Sequence, residues 1–68
     1  MPIQTIIFDR RFWLPSEAKK WIRQHNYHPI KPMHATNRFY RFRINNPVFN
    51  RYRTITLPIH VELVVGFD

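Results

Sequence analysis

The sequence predicts an α+β fold of two layers, one amphipathic helix packed on a small, mainly antiparallel sheet in β-α-β-β-β order. Three observations carry that expectation. The stretch Asn37-Arg38-Phe39-Tyr40-Arg41-Phe42-Arg43-Ile44 alternates with period two and is bounded by turn-prone residues. The segment from Pro15 to about His25 carries apolar residues at helical spacing. The last segment alternates again, with Ile59, Val61, Leu63, Val65 and Phe67 set against His60, Glu62, Val64 and Gly66.

With 68 residues the chain is one domain, 1–68. At that size roughly 60% of the surface of the unfolded chain can be buried, so the core must be dense. An aromatic content of 16% supplies the means, because each buried ring removes on the order of 150–250 Å² from water.

Taken in order, Ile3 to Phe8 is rich in β-branched and aromatic residues and reads as a first strand. Its facing is open: Ile3, Thr5 and Ile7 form one set, Gln4, Ile6 and Phe8 the other. Asp9-Arg10-Arg11 ends the apolar run, and Phe12 and Trp13 fall in the connection. In the helix, Leu14, Ala18, Trp21, Ile22 and His25 share a stripe opposite Glu17, Lys19, Lys20, Arg23 and Gln24. Pro15 suits the first turn, where its missing N–H has no partner, with Ser16 an alternative cap, and Glu17 matches the helix dipole. Asn26 is placed to end the helix in the left-handed region, since Pro29 and Pro32 prevent continuation.

Beyond the helix the chain runs extended, Tyr27 to Ile30 can pair as a short edge strand, and Met33 to Asn37 is expected to be a loop. In the strand from Arg38 to Ile44, Tyr40, Phe42 and Ile44 point to the core and Phe39, Arg41 and Arg43 away from it. Asn45-Asn46-Pro47 is a turn signal, after which Val48-Phe49-Asn50 can dip apolar side chains back towards the core. Arg51 to Leu57 alternates without a clear inner face, and Pro58 argues for an edge position or a bend. The final strand, read from Ile59, is expected to be central, with Glu62 on the outer face in reach of Arg41 or Arg43.

Composition removes several classes of function. Without cysteine there is no disulfide, no thiolate nucleophile and no Cys-based zinc site. No apolar run approaches the ~20 residues of a membrane span, and the start lacks a signal-peptide pattern, so no membrane partner is expected and the expected location is inside a cell or in a virion. With scattered carboxylates, one glycine and no phosphate-cradling loop, neither catalytic chemistry nor a cofactor is expected. His25, His28, His34 and His60 would have to recruit Asp9 or Glu17 to close a metal site, and none is expected.

What remains is charge. Eleven Lys and Arg against four acidic residues give a formal +7, and eight of the eleven are Arg, the cation suited to planar, bidentate and stacked contacts. Phe39, Arg41, Arg43, Arg51, Tyr52 and Arg53 combine guanidinium groups with rings, which suits a nucleic-acid backbone with bases stacked alongside. Lys19, Lys20 and Arg23 extend the basic surface around the helix, where such runs are more often a solvated face. The expected partner is DNA or RNA, bound without strong sequence preference. The alternative is an acidic protein surface, and an open sheet edge leaves room for a small homo-oligomer as well as a monomer.

The blocks Phe8-Asp9, Glu17-Ala18-Lys19-Lys20-Trp21-Ile22, Tyr27-His28-Pro29-Ile30-Lys31, Tyr40-Arg41-Phe42-Arg43, Phe49-x-Arg51-Tyr52-Arg53-Thr54 and Leu63-Val64-Val65-Gly66-Phe67 give the chain, over nearly its whole length, a resemblance to a family. It resembles a small module of tailed-phage and giant-virus proteins, found alone or joined to capsid-associated proteins. Leu14-Pro15 departs from that pattern, which has Ser or Thr at the helix start. The resemblance implies a viral source and a virion or host-directed role, and implies no activity.

Overall fold

The strand richest in β-branched residues takes the middle of the sheet. In a computed structural model describing residues 2–67, the elements are β1 (Ile3–Asp9), α1 (Pro15–Gln24), β2 (His34–Ala35), β3 (Phe39–Arg43), β4 (Arg51–Leu57) and β5 (Val61–Phe67). They form one five-stranded sheet in the order β2-β3-β1-β5-β4, antiparallel at every pairing. One helix on one face of this sheet makes the domain α+β, as the periodicity predicts.

The element order differs from β-α-β-β-β by one strand. His34–Ala35, expected within a loop, pairs with β3 through His34↔Arg41 and Ala35↔Tyr40. The pairing arises because Asn37-Arg38 closes a tight connection: Thr36 and Phe39 bond through Thr36 N–H to the Phe39 carbonyl (2.9 Å) and Phe39 N–H to Thr36 Oγ1 (3.1 Å). Arg10 holds that turn from outside. Its guanidinium donates to the Thr36 carbonyl at 2.6 Å and lies 5.1 Å from the Tyr40 ring centre. Tyr27 to Ile30 form no strand, but the Ile30 N–H donates to the Arg43 carbonyl at 2.9 Å and pins the extended segment along β3.

Register fixes which side chains meet the helix. The pairs Ile6↔Phe42 and Phe8↔Tyr40 on one side of β1, and Ile6↔Leu63 and Phe8↔Val61 on the other, put these six side chains on the inner face. Ile6, Phe8 and Val61 are fully buried, with Ala18 and Ile22 of α1 packed over them. Phe8 is the hub of the core: Trp13, Trp21 and Phe42 each meet its ring edge-to-face, at centroid distances of 4.9, 5.6 and 5.5 Å. Such pairs add about 0.5–1.5 kcal/mol each beyond the area they bury.

A bulge settles the open question of β1. Ile3 pairs with Val65 and Thr5 with Val64, so Gln4 is an extra residue on β1, and Ile3 joins the inner face that Ile6 and Phe8 define. The Gln4 carbonyl then accepts the Ile44 and Asn45 N–H groups, while the buried Thr5 hydroxyl donates to Gln4 Oε1 at 2.7 Å.

Helix α1 starts at Pro15 with Leu14 as the capping position, in extended backbone. Leu14 has no polar atom to offer, so only half a capping box forms, the Glu17 carboxylate accepting the Leu14 N–H at 2.9 Å. This position also takes Leu14 off the stripe: it is 62% exposed. His25 likewise lies beyond the last helical residue, exposed and stacked on Trp21 at 3.8 Å. Asn26 has φ 60°, the left-handed ending its position predicts.

The β4–β5 hairpin turns through 58–60, with His60 at φ 62° between the closing pair Leu57 and Val61. Ile59 and His60 therefore belong to the turn and not to the last strand. The Phe12 ring stacks on His60 at 3.6 Å, and the Trp13 indole N–H donates to the Ile59 carbonyl at 2.9 Å, tying the β1–α1 connection to this turn. β4 is an edge strand, as Pro58 suggests, and β5 lies inside the sheet between β1 and β4.

Candidate nucleic-acid interface

The face of the sheet turned away from α1 is where the alternation of β3 sends its cations. Phe39, Arg41 and Arg43 share that face, because Tyr40 and Phe42 between them are buried under the helix. Cross-strand partners continue the rows: His34, Arg41, Ile7, Glu62 and Thr56 lie along one, and Arg43, Thr5, Val64 and Thr54 along the next. The side chains of Thr5, Lys31, Pro32, His34, Arg41 and Arg43 surround a concavity of about 360 Å³. Its wall on the β2 side is the 30–32 segment that the Ile30 to Arg43 hydrogen bond holds in place.

No carboxylate lines this concavity. Among the described residues the one ion pair is Arg11 with Asp9, at 2.9 Å. Arg11 donates to Asp9 from both side chain and backbone, and these bonds hold the Asp9 carboxyl down at about 2, well below its ordinary range. The expected pairing of Glu62 with Arg41 or Arg43 does not form. β1 lies between β3 and β5, so Ile7 separates Arg41 from Glu62 along their row. Lys31 and Arg41 are exposed and Arg43 is half-buried beside them, and no neighbouring carboxylate compensates their charge.

The residues singled out in the sequence do not form one surface. Arg51 and Arg53 pair with Phe67 and Val65, which puts them on the helix side of the sheet at the far edge. There Arg51 lies 5.7 Å from the Phe67 ring centre. Tyr52, opposite Gly66, is on the open face with Phe49 edge-on to it at 6.3 Å, three strands from Arg41. Lys19, Lys20 and Arg23 are exposed on α1, on the other side of the domain from Arg41 and Arg43. Lys19 and Arg23 rim an apolar groove of about 480 Å³ floored by Ile22 and Phe42.

The sequence singles out none of Lys31, His34 and Thr5 for a nucleic-acid surface. A two-residue strand has no periodicity to detect, and without it nothing places His34 beside Arg41. The available signal was the Asn37-Arg38 pair between two extended segments, which reads as a hairpin connection. The histidines are dispersed: His25 on Trp21, His28 at the groove, His34 in β2 and His60 under Phe12. No group of three or more metal-ligating side chains occurs among the described residues. No helix among them is long and apolar enough to cross a membrane.

Comparison with known protein families, with curated proteins and with solved structures finds no match to this chain.

Proposed function

We propose that this chain is a small basic binding module that engages nucleic acid through the open face of its sheet, without strong sequence preference. The observation that carries the reading is the concavity beside β3, where Lys31, Arg41 and Arg43 converge with His34 and no carboxylate balances them. Arginine forks and a lysine ammonium placed on one concave surface match phosphate oxygens, and their charge draws a polyanion over a distance. Phe39 beside the arginines, with Phe49 and Tyr52 at the other end of the same face, offers rings on which bases can stack. Because every base has a π-face and every link a phosphate, such contacts carry little sequence information.

The resemblance to phage and giant-virus modules fits a viral protein acting in the host cell or within the virion. A direct test is the titration of purified protein against single- and double-stranded DNA and RNA at two salt concentrations. The reading expects tight binding that weakens steeply with salt. Absence of binding at low salt contradicts it.

A second reading rests on β4. Its seven residues form an open edge, exposed from Arg51 to Thr56, with Arg51, Arg53 and Ile55 on one face. An acidic extended peptide adding to that edge would pair its backbone with β4 and its carboxylates with the two arginines. Loss of such a partner on Arg53→Ala, with nucleic-acid binding unchanged, is the result that favours this reading.

A further inference from the structure

We infer that the concavity at the β2–β3 edge is a seat for the terminal phosphate of a nucleic-acid strand, a phosphomonoester as distinct from the diester links along the backbone. The inference rests on the nucleic-acid reading and names the chemical group that reading leaves open.

Charge is the first argument. A diester link carries a single negative charge, whereas a monoester carries roughly −1.5 to −2 at neutral pH. Lys31, Arg41 and Arg43 bring three permanent cations to one concavity, with the His34 imidazole beside them and no acidic side chain on the wall. The two acidic residues of this face are elsewhere engaged or remote: Asp9 is held by Arg11, and Glu62 lies across Ile7 from Arg41. Such a concentration exceeds what one diester needs and matches a dianion, whose additional oxygen also accepts more of the donors.

Shape is the second. A strand passing through would need a groove open at both ends, but the 30–32 segment, fixed by the Ile30 N–H to the Arg43 carbonyl, walls the β2 side. Thr5 forms the floor; its hydroxyl proton is already given to Gln4 Oε1, leaving the cations as donors. A volume of about 360 Å³ is at the small end of ligand sites, enough for a phosphate and part of its nucleotide. From the seat the open face leads along Ile7 and Val64 towards Tyr52, a path for the rest of the strand over the sheet.

The test uses full-length protein and oligonucleotides of one sequence ending in 5′-phosphate, 3′-phosphate or hydroxyl at both ends, with anisotropy as the readout at fixed salt. Binding at least about fivefold tighter to one phosphorylated strand than to the hydroxyl strand is expected. That ratio should fall to near one in Lys31→Ala and in Arg41→Ala, both exposed positions, and stay unchanged in Arg53→Ala on the other face. Inorganic phosphate in excess should remove the preference in wild type. Equal affinities for all three strands overturn the seat while leaving the nucleic-acid reading standing. No binding of any strand overturns both. A ratio that survives Lys31→Ala and Arg41→Ala overturns the assignment to this concavity.

Discussion

The ring of Phe49 lies against the backbone of Gly66, in the space that a side chain at 66 would need. Gly66 pairs with Tyr52 across β5 and β4, and Phe49 meets the Tyr52 ring edge-on at 6.3 Å. The one glycine of the chain is therefore where a loop aromatic packs down on the open face of the sheet. Gly66→Ala is expected to destabilise by about 1–3 kcal/mol, the usual range for forcing extra atoms into a packed site. In Gly66→Ala/Phe49→Ala the loss should be less than the sum of the single losses, because removing the ring removes the overlap. Urea denaturation of the four proteins measures this coupling.

Phe8 carries a larger share of the fold. It is fully buried and touches Trp13 of the β1–α1 connection, Trp21 of α1 and Phe42 of β3. Phe8→Ala should cost about 3–5 kcal/mol, comparable to the whole stability that a single core gives a domain of this size. The expected result is a protein largely unfolded at 25 °C by circular dichroism. A cooperative transition close to that of wild type would show that the core is not centred on this ring.

These two cases mark what was legible in the sequence. The inward set Tyr40, Phe42 and Ile44, the helix stripe of Ala18, Trp21 and Ile22 and the left-handed Asn26 follow from periodicity and local sterics, which act over a few residues. The facing of β1 did not follow, because a bulge at Gln4 depends on where β5 pairs. The strand at His34–Ala35 depends on β3 in the same way. For the site, alternation put Phe39, Arg41 and Arg43 on one face, but strand order decides what lies beside them. That order separates Glu62 from the arginines, sends Arg51 and Arg53 to the other face, and brings in Lys31 and His34.

Asn26, at φ 60°, adopts a conformation that costs most residues free energy and glycine none. Asn26→Gly should therefore be near neutral, and Asn26→Ala should lose about 1 kcal/mol. Thermal denaturation distinguishes the two; equal losses would place the effect in the Asn26 side chain and not in its backbone.

Acid should weaken the β1–α1 connection. The Asp9 carboxyl is held at about 2, below its ordinary 3.8, chiefly by the side-chain hydrogen bond from Arg11 and then by the Arg11 backbone N–H. A carboxylate with a depressed pKa in the folded state contributes stability that is complete above its unfolded value and is lost as pH falls through the folded one. The difference in melting temperature between wild type and Asp9→Asn should be constant above about pH 5 and shrink between about pH 4 and pH 2. A difference that grows on acidification would contradict the assignment.

The surface proposed for nucleic acid is the one around β3, and Arg41 and Arg53 separate it from the opposite face. Each substitution by alanine removes one exposed arginine from a strand of the same sheet, but from opposite faces. Affinity for a fluorescent single strand would be measured by anisotropy across a salt series. Arg41→Ala is expected to weaken binding by about tenfold at low salt and to lower the salt slope by about one, while Arg53→Ala stays within about twofold of wild type. Equal effects of the two substitutions, or a larger effect of Arg53→Ala, would contradict it.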